Sequence, residues 1–305
     1  MDLIIEEGAI SGYMPLMISR GCPYACTYCC NKAIKDIYPK SNGYFRILKP
    51  KQAIDLLLYI KERFPIKGFN FADDLFVWQY NWFSEFTERY IKEINLPYVC
   101  NARIEILKNK EILLMLKESG CKQVSFGIES GDEDYRKSIL KRNYSNSDIL
   151  VASELLHEVG IPFSSYNIIG FPFETKKQMK KTVEINKSIR PNSGMVFFFY
   201  PYPGTELYKL CVDNNILHSK EMSKVDGFME RPVIKFTNCT EQDCINIHRD
   251  LFLYFKVRKV SRLLKIDSAI FDRLLYTFMR LSPNLFIHMG KEKYVPKYLK
   301  KERVV

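Results

Sequence analysis

The segment Ile18-Ser-Arg-Gly-Cys22-Pro-Tyr-Ala-Cys26-Thr-Tyr-Cys29 carries three thiols spaced C-x3-C-x2-C, just after a strand-like run. Thiols at this spacing can converge from a single loop as thiolates and bind a soft metal. Three protein ligands are one short of the set that closes a structural zinc site. They suit a 4Fe–4S cluster in which one iron is left for a ligand that is not protein. Zinc, or a cluster that recruits Cys30 as a fourth thiolate, are the competing readings of the spacing alone. Because Cys30 directly follows Cys29, its side chain is expected to project away from the metal and pack. Gly21 gives the loop backbone freedom at its entry. Clustering of this kind among nine cysteines points to reduced, metal-binding thiols rather than to disulfides.

The elements that must position this loop bring further candidates with them. Strand-like segments fall at 16–19, 68–71, 98–101, 123–127, 163–169 and 195–200. Helical periodicity covers 50–64, 81–94, 109–119, 147–159 and 175–189 between them, with Pro50 suited to a first turn and Gly120 and Gly160 to helix ends. Such alternation gives parallel strands joined by right-handed crossovers. Six units are present where a closed barrel has eight. The expected fold is therefore α/β, an incomplete (β/α)6 TIM-like barrel, with a flat doubly wound sheet as the alternative. Barrel enzymes place their functional groups at the C-terminal ends of the strands. Those ends here hold Cys22, Asp73 and Asp74, Arg103, Glu129, the run Ile168-Ile-Gly-Phe-Pro-Phe-Glu174 and the run Tyr200-Pro-Tyr-Pro-Gly-Thr205.

With an aromatic, Tyr28, before its last cysteine, the motif resembles the signature of the radical S-adenosylmethionine (radical SAM) superfamily. The pieces that follow are most similar to the core of its cobalamin-binding class, over about Met14 to Leu207. The resemblance implies a site-differentiated 4Fe–4S cluster held by Cys22, Cys26 and Cys29, with S-adenosylmethionine chelating the open iron. It implies reductive cleavage of that cofactor to a 5′-deoxyadenosyl radical, which abstracts hydrogen from a small-molecule or lipid-like substrate. An electron donor such as flavodoxin or ferredoxin is implied as well. A degenerate relative that binds a metal or a partner without catalysis is the alternative.

Carried onto this sequence, the resemblance assigns Asp73 and Asp74, in Phe71-Ala-Asp-Asp-Leu-Phe76, to the methionyl ammonium, where many relatives have Gly-Gly-Glu. Glu129, in Phe126-Gly-Ile-Glu-Ser-Gly131, matches the residue that reaches the ribose or methionyl end, and Lys141 matches a cation beside that carboxylate. Arg103 is either a carboxylate clamp or an ion-pair partner of Glu105 or Glu129. Tyr166 stands near the ribose, and Gly170-Phe-Pro172 and Pro203-Gly204 approach the adenine through their backbones. Phe173 replaces the usual Gly before Glu174, which predicts a differently shaped loop. The Asp-x-His-x-x-Gly corrinoid motif is absent, and His157-Glu-Val-Gly160 matches only its last part. His157 is read as a helix-surface or packing residue. With 21 residues ahead of Cys22 and that motif missing, cobalamin is in doubt as a cofactor. Methylthiolation is disfavoured, because it would bring an N-terminal domain with three further cysteines.

Composition sets the frame for these readings. The chain has 305 residues, 47% hydrophobic and 27% charged, which excludes a disordered tail or a fibrous repeat. No apolar run reaches the roughly 18 residues of a membrane span, and the acidic start MDLIIEEGAI does not read as a signal peptide. A cytoplasmic location is expected. Of the net charge of +11, most lies in Leu251–Val305, which has 13 Lys and Arg against four Asp and Glu. A nearly neutral body argues against a nucleic-acid groove. The expected organisation is a lead-in over 1–13, the partial barrel over 14–207 and a basic, mostly helical extension over 208–305. In that extension Thr240 and Asp243 form a cap for a helix over 241–264, and Asp267 caps another. Its apolar stripe either covers the open side of the barrel or lies on an anionic membrane, which would make the protein membrane-peripheral. Trp78, Tyr80, Trp82 and Phe83 line a pocket or pack, and Cys100, Cys121 and Cys211 read as core.

Overall fold

Alternating aromatic and polar residues make Gly68-Phe-Asn-Phe71 a strand with one greasy face, and the same logic runs through the sheet. A computed structural model describes residues 12–38, 43–218, 231–266 and 268–281. In chain order the elements are β1 (Tyr13–Leu16), β2 (Ser19–Arg20), α1 (Cys30–Ile37), β3 (Arg46–Ile47), α2 (Pro50–Arg63), β4 (Gly68–Phe71), α3 (Tyr80–Arg89) with a π-helical turn (Tyr90–Ile94), and β5 (Tyr98–Asn101). There follow α4 (Ile104–Leu107), α5 (Lys110–Glu118), β6 (Cys121–Glu129), α6 (Glu133–Ser138), α7 (Asn146–Val159), β7 (Phe163–Ile169), α8 (Lys176–Ile189), β8 (Ser193–Phe198) and α9 (Glu206–Asp213). Beyond these lie α10 (Glu241–Leu263) and α11 (Ala269–Leu281).

Six strands form one parallel sheet in the order β1-β4-β5-β6-β7-β8. Strand order follows chain order without reversing, whereas a doubly wound sheet reverses at a switch point. The barrel-type winding expected from the sequence is therefore the one observed. Strand one is displaced from expectation: the sheet strand ends at Leu16, and Ser19–Arg20 instead pairs antiparallel with Arg46–Ile47. Helix α1 and the short α4 and α6 were not foreseen, being too short for a periodic signal.

The chain divides into two compact units, Met1–Gly127 with Tyr144–Ser164, and Ile128–Asn143 with Ser165–Val305. In the first, Phe69 and Phe71 turn the same way from β4 and meet Phe76, Phe83, Phe86, Tyr90 and Tyr98, all fully buried. Phe71 stacks on Phe76 at 4.2 Å between centroids, and each such buried ring contributes roughly 1.5–3 kcal/mol. Trp82 joins this packing by stacking on Phe86 and donating to the Leu48 carbonyl. In the second unit, Ile169, Val196 and Phe198 of the strands pack with Met179 and Val183 of α8 and with Ile247, Leu251, Tyr254 and Phe255 of α10. Helix α10 starts at the expected capping box of Thr240 and Asp243. Its apolar side chains thus complete a core over β8. Asp267 lies outside the described residues.

Candidate functional site

The cysteine loop connects β2 to α1 in the first unit, and its path is fixed by close contacts. Gly21 sits at φ +79°, and a Cβ there would come within 2.8 Å of both the Tyr44 ring and the Tyr44 carbonyl. Tyr44 in turn donates to Asn31 Oδ1 at 2.6 Å, and Lys35 donates to the Pro23 carbonyl. Cys26 is buried, while Cys22 and Cys29 are half-buried. Burial pushes the Cys22 thiol up and the Cys29 thiol up to about 12, and nearby sulfurs add to both shifts. A cation or cluster binding here would displace those protons. Cys30 opens α1 and is exposed, so the expectation that it packs is corrected; its side chain projects away into solvent.

Asp73, two residues beyond β4, is fully buried although it carries a carboxyl. Its Oδ1 accepts from the Ser19 amide at 2.6 Å and from the Ser19 hydroxyl at 2.5 Å. Its Oδ2 is buried with no hydrogen-bond partner. A buried, unpaired carboxylate oxygen costs free energy unless something arrives to meet it. Burial pushes the pKa of Asp73 up, against the pull of Ser19. Asp74 is exposed. Arg103 follows β5 and makes a two-pronged pair with Glu105, at 2.7 and 3.2 Å. Of the readings left open for Arg103, the structure thus shows the pairing with Glu105. Its Nη1 also donates to Cys26 Sγ at 3.7 Å, and its guanidinium lies 3.6 Å over the Tyr24 ring. Tyr24 meets Trp78 edge-on, and Trp78 meets Phe45, so an aromatic wall stands beside the loop. Tyr28 is half-buried within the loop itself.

The donor chemistry of this loop fits a cluster. It offers three thiols, none in a disulfide, and the same unit holds a buried carboxylate with one oxygen to spare. No group of three or more His, Cys, Asp or Glu among the described residues is drawn together as a finished metal site.

In the second unit, Glu129 ends β6 with a left-handed φ of 64°, a strained setting of the sort that collects at functional sites. Its partner is Arg142, whose Nη1 lies 3.2 Å from Oε1, both side chains being buried. Lys141, expected as the cation there, is exposed with φ 55°, and the turn it makes brings the next residue inward instead. Tyr166 is half-buried on β7. It faces opposite to Ser165 and Asn167, which bond to Asn186 of α8. Gly170 has φ +82°, and a Cβ there would sit 2.6 Å from Cys244 Sγ, so its bareness has a packing cause.

Glu174, which the sequence reading left without a role, turns out to organise this loop. Its Oε2 accepts from the amides of Gly170 and Phe171 at 3.0 and 3.1 Å. Complete burial raises its pKa to about 8. An acid four residues after a strand-ending Gly-Phe-Pro turn was the available signal. Phe173 takes φ 61°, the conformation its glycine counterpart would favour. Its side chain is accommodated on the surface, so the substitution has not abolished that turn.

A family model described as the radical SAM superfamily matches residues 16–185. The chain belongs to the radical SAM superfamily. An uncharacterized methyltransferase of Pyrococcus horikoshii is 25% identical over 85% of this chain, and the cytidylyl-2-hydroxyethylphosphonate methyltransferase of Streptomyces wedmorensis is 24% identical over 68%. The chain spans 54% and 39% of those relatives' lengths. Among solved structures, the cobalamin-dependent S-adenosylmethionine radical enzyme OxsB, with aqua-cobalamin and S-adenosylmethionine bound, superposes with a TM-score of 0.58 at 17% identity, covering 88% of this chain and 45% of that one. These likenesses support an enzyme with the superfamily fold, and the superfamily implies a 4Fe–4S cluster and S-adenosylmethionine.

Proposed function

We propose that the chain holds a 4Fe–4S cluster through Cys22, Cys26 and Cys29 and binds S-adenosylmethionine for reductive cleavage, acting on a small-molecule or lipid-like substrate. The observation that supports this reading is the buried, half-satisfied Asp73 in the same unit as three thiols outside any disulfide. Held by Cys22, Cys26 and Cys29, the cluster would supply the electron for reductive cleavage of S-adenosylmethionine and so the radical chemistry of the reaction. The chain's own part is to bind, orient and exclude water. Ser19 fixes one oxygen of Asp73 so that the other is free for the methionyl ammonium, and Asp74 offers a second carboxylate in reach of solvent. Arg103 braces Cys26 and Tyr24, and Tyr28 completes the motif. In the second unit, Glu129 with Arg142, then Lys141, Tyr166 and the Gly170 backbone, are the candidates for the ribose, methionyl and adenine contacts.

The names of the two methyltransferase relatives favour methyl transfer as the reaction of the whole protein. These 305 residues contain no Asp-x-His-x-x-Gly motif and span 54% and 39% of those relatives' lengths. The test is reduction of the reconstituted protein with S-adenosylmethionine present. Release of 5′-deoxyadenosine and methionine supports the proposal; a loaded cluster that leaves the cofactor intact defeats it.

A further inference from the structure

Helix α11 buries Asp272 and Met279 and turns a different set of side chains outward. Ile270 is 74% exposed, Leu274 66%, Phe278 51% and Leu281 78%. Spaced i, i+4, i+8 and i+11, they form one stripe along the helix. The last residue of α10 and the turn that follows add Leu263 at 74% exposure, Leu264 at 56% and Ile266 at 37%. Seven of the 21 large apolar side chains exposed among the described residues therefore lie in Leu263–Leu281. Exposed apolar side chains are concentrated here rather than scattered singly over the surface.

The charges around the stripe say which partner. Arg262, Lys265, Arg273 and Arg280 are exposed at its borders. The acid of α11, Asp272, is turned inward and consumed by Arg258 at 2.7 Å, Arg190 at 3.2 Å and the Ser261 hydroxyl at 2.6 Å. No acid is exposed among the described residues of Leu263–Leu281. Arg280 has Asp250 of α10 at 3.7 Å, so a second copy seated on this face would set Arg262, Lys265 and Arg273 against their own copies with that one acid to balance them. By contrast α10, ahead of its exposed last residue Leu263, spends Leu251, Tyr254 and Phe255 of the same basic stretch in the core.

We propose that the outward face of α11, with the turn before it, docks on an anionic lipid surface. The stripe enters the interface while Arg262, Lys265, Arg273 and Arg280 meet lipid phosphates and carboxylates. The surface is independent of the reaction proposed above.

Co-sedimentation of the full chain with phosphatidylcholine vesicles, with and without phosphatidylserine, tests it at low and raised salt. Pelleting should require phosphatidylserine and weaken as salt is raised. The exposed double variant Ile270→Glu, Leu274→Glu should pellet at least about tenfold less while keeping its circular dichroism and melting temperature. Arg273→Gln with Arg280→Gln should bind less and show a shallower salt dependence. A protein that stays in the supernatant with both vesicles overturns the proposal. Equal, salt-insensitive pelleting with phosphatidylcholine alone overturns the anionic requirement. A solution dimer that the double glutamate variant splits, without vesicle binding, would reassign the face to self-association.

Discussion

Replacing Asp73 by Asn isolates the one oxygen that the structure leaves without a partner. Ser19 presents an N–H, a donor only, to Oδ1, so the new amide must keep its oxygen on that side. Its NH2 then stands where Oδ2 stood, turning an acceptor toward the proposed ammonium into a donor. A hydrogen bond to a charged group contributes roughly 1.5–3 kcal/mol, so the affinity for S-adenosylmethionine should fall about 10- to 150-fold. Stability should hold or rise, because both Ser19 bonds survive and a neutral amide is easier to bury than a carboxylate. Asp73→Ala is the control that moves stability: it strips the acceptor from the buried Ser19 amide, which costs about 1–3 kcal/mol. Equilibrium dialysis of the cofactor against the reconstituted variants, beside thermal melts, measures both quantities. If Asp73→Asn binds the cofactor as tightly as the wild type, Oδ2 is not its ammonium acceptor and the reasoning fails.

Glu174→Gln should change how stability depends on pH. Burial raises this group from its usual 4.5 to about 8, so within that window the folded protein keeps a proton that the unfolded chain has lost. Stability from this source is present at low pH and declines as pH rises through the window, on the order of a few kcal/mol. The glutamine variant should gain on the wild type progressively as pH rises. His248, lowered to about 3 by burial, slopes the other way but is common to both proteins and cancels. Parallel denaturation curves for the two proteins across that range would refute the prediction. Asp272→Ala should cost about 3–5 kcal/mol, since it leaves the buried Arg258 guanidinium without its countercharge. Hydrogen exchange should report the loss first as release of α11, and unchanged protection there would contradict the ion pair's role.

The sheet was legible because its signals are local and repeat. Phe69 and Phe71 alternate with Asn70, and the cap of Thr240 with Asp243 marks a helix start that the structure keeps. That the cysteines share one loop after a strand was legible from their spacing. What escaped depends on a single backbone turn or on distant partners. A positive φ at Lys141 decides that Arg142, one residue on, pairs with Glu129, and no periodicity encodes that. Glu174 is defined by the two amides it caps three and four residues back, in a turn that carries no periodic signal. The tail read as one amphipathic stretch because its two helices share a composition. Only packing separates the stripe that α10 buries from the one that α11 exposes.

Iron and sulfide analysis after anaerobic reconstitution, run on wild type and four single cysteine variants, tests the central claim most directly. The account predicts about four irons per chain in the wild type and in Cys30→Ala, whose exposed thiol is not a ligand. It predicts loss of the cluster in Cys22→Ala, Cys26→Ala and Cys29→Ala. One tightly held zinc per chain in place of iron, or a cluster that survives Cys29→Ala and is lost in Cys30→Ala, would contradict it.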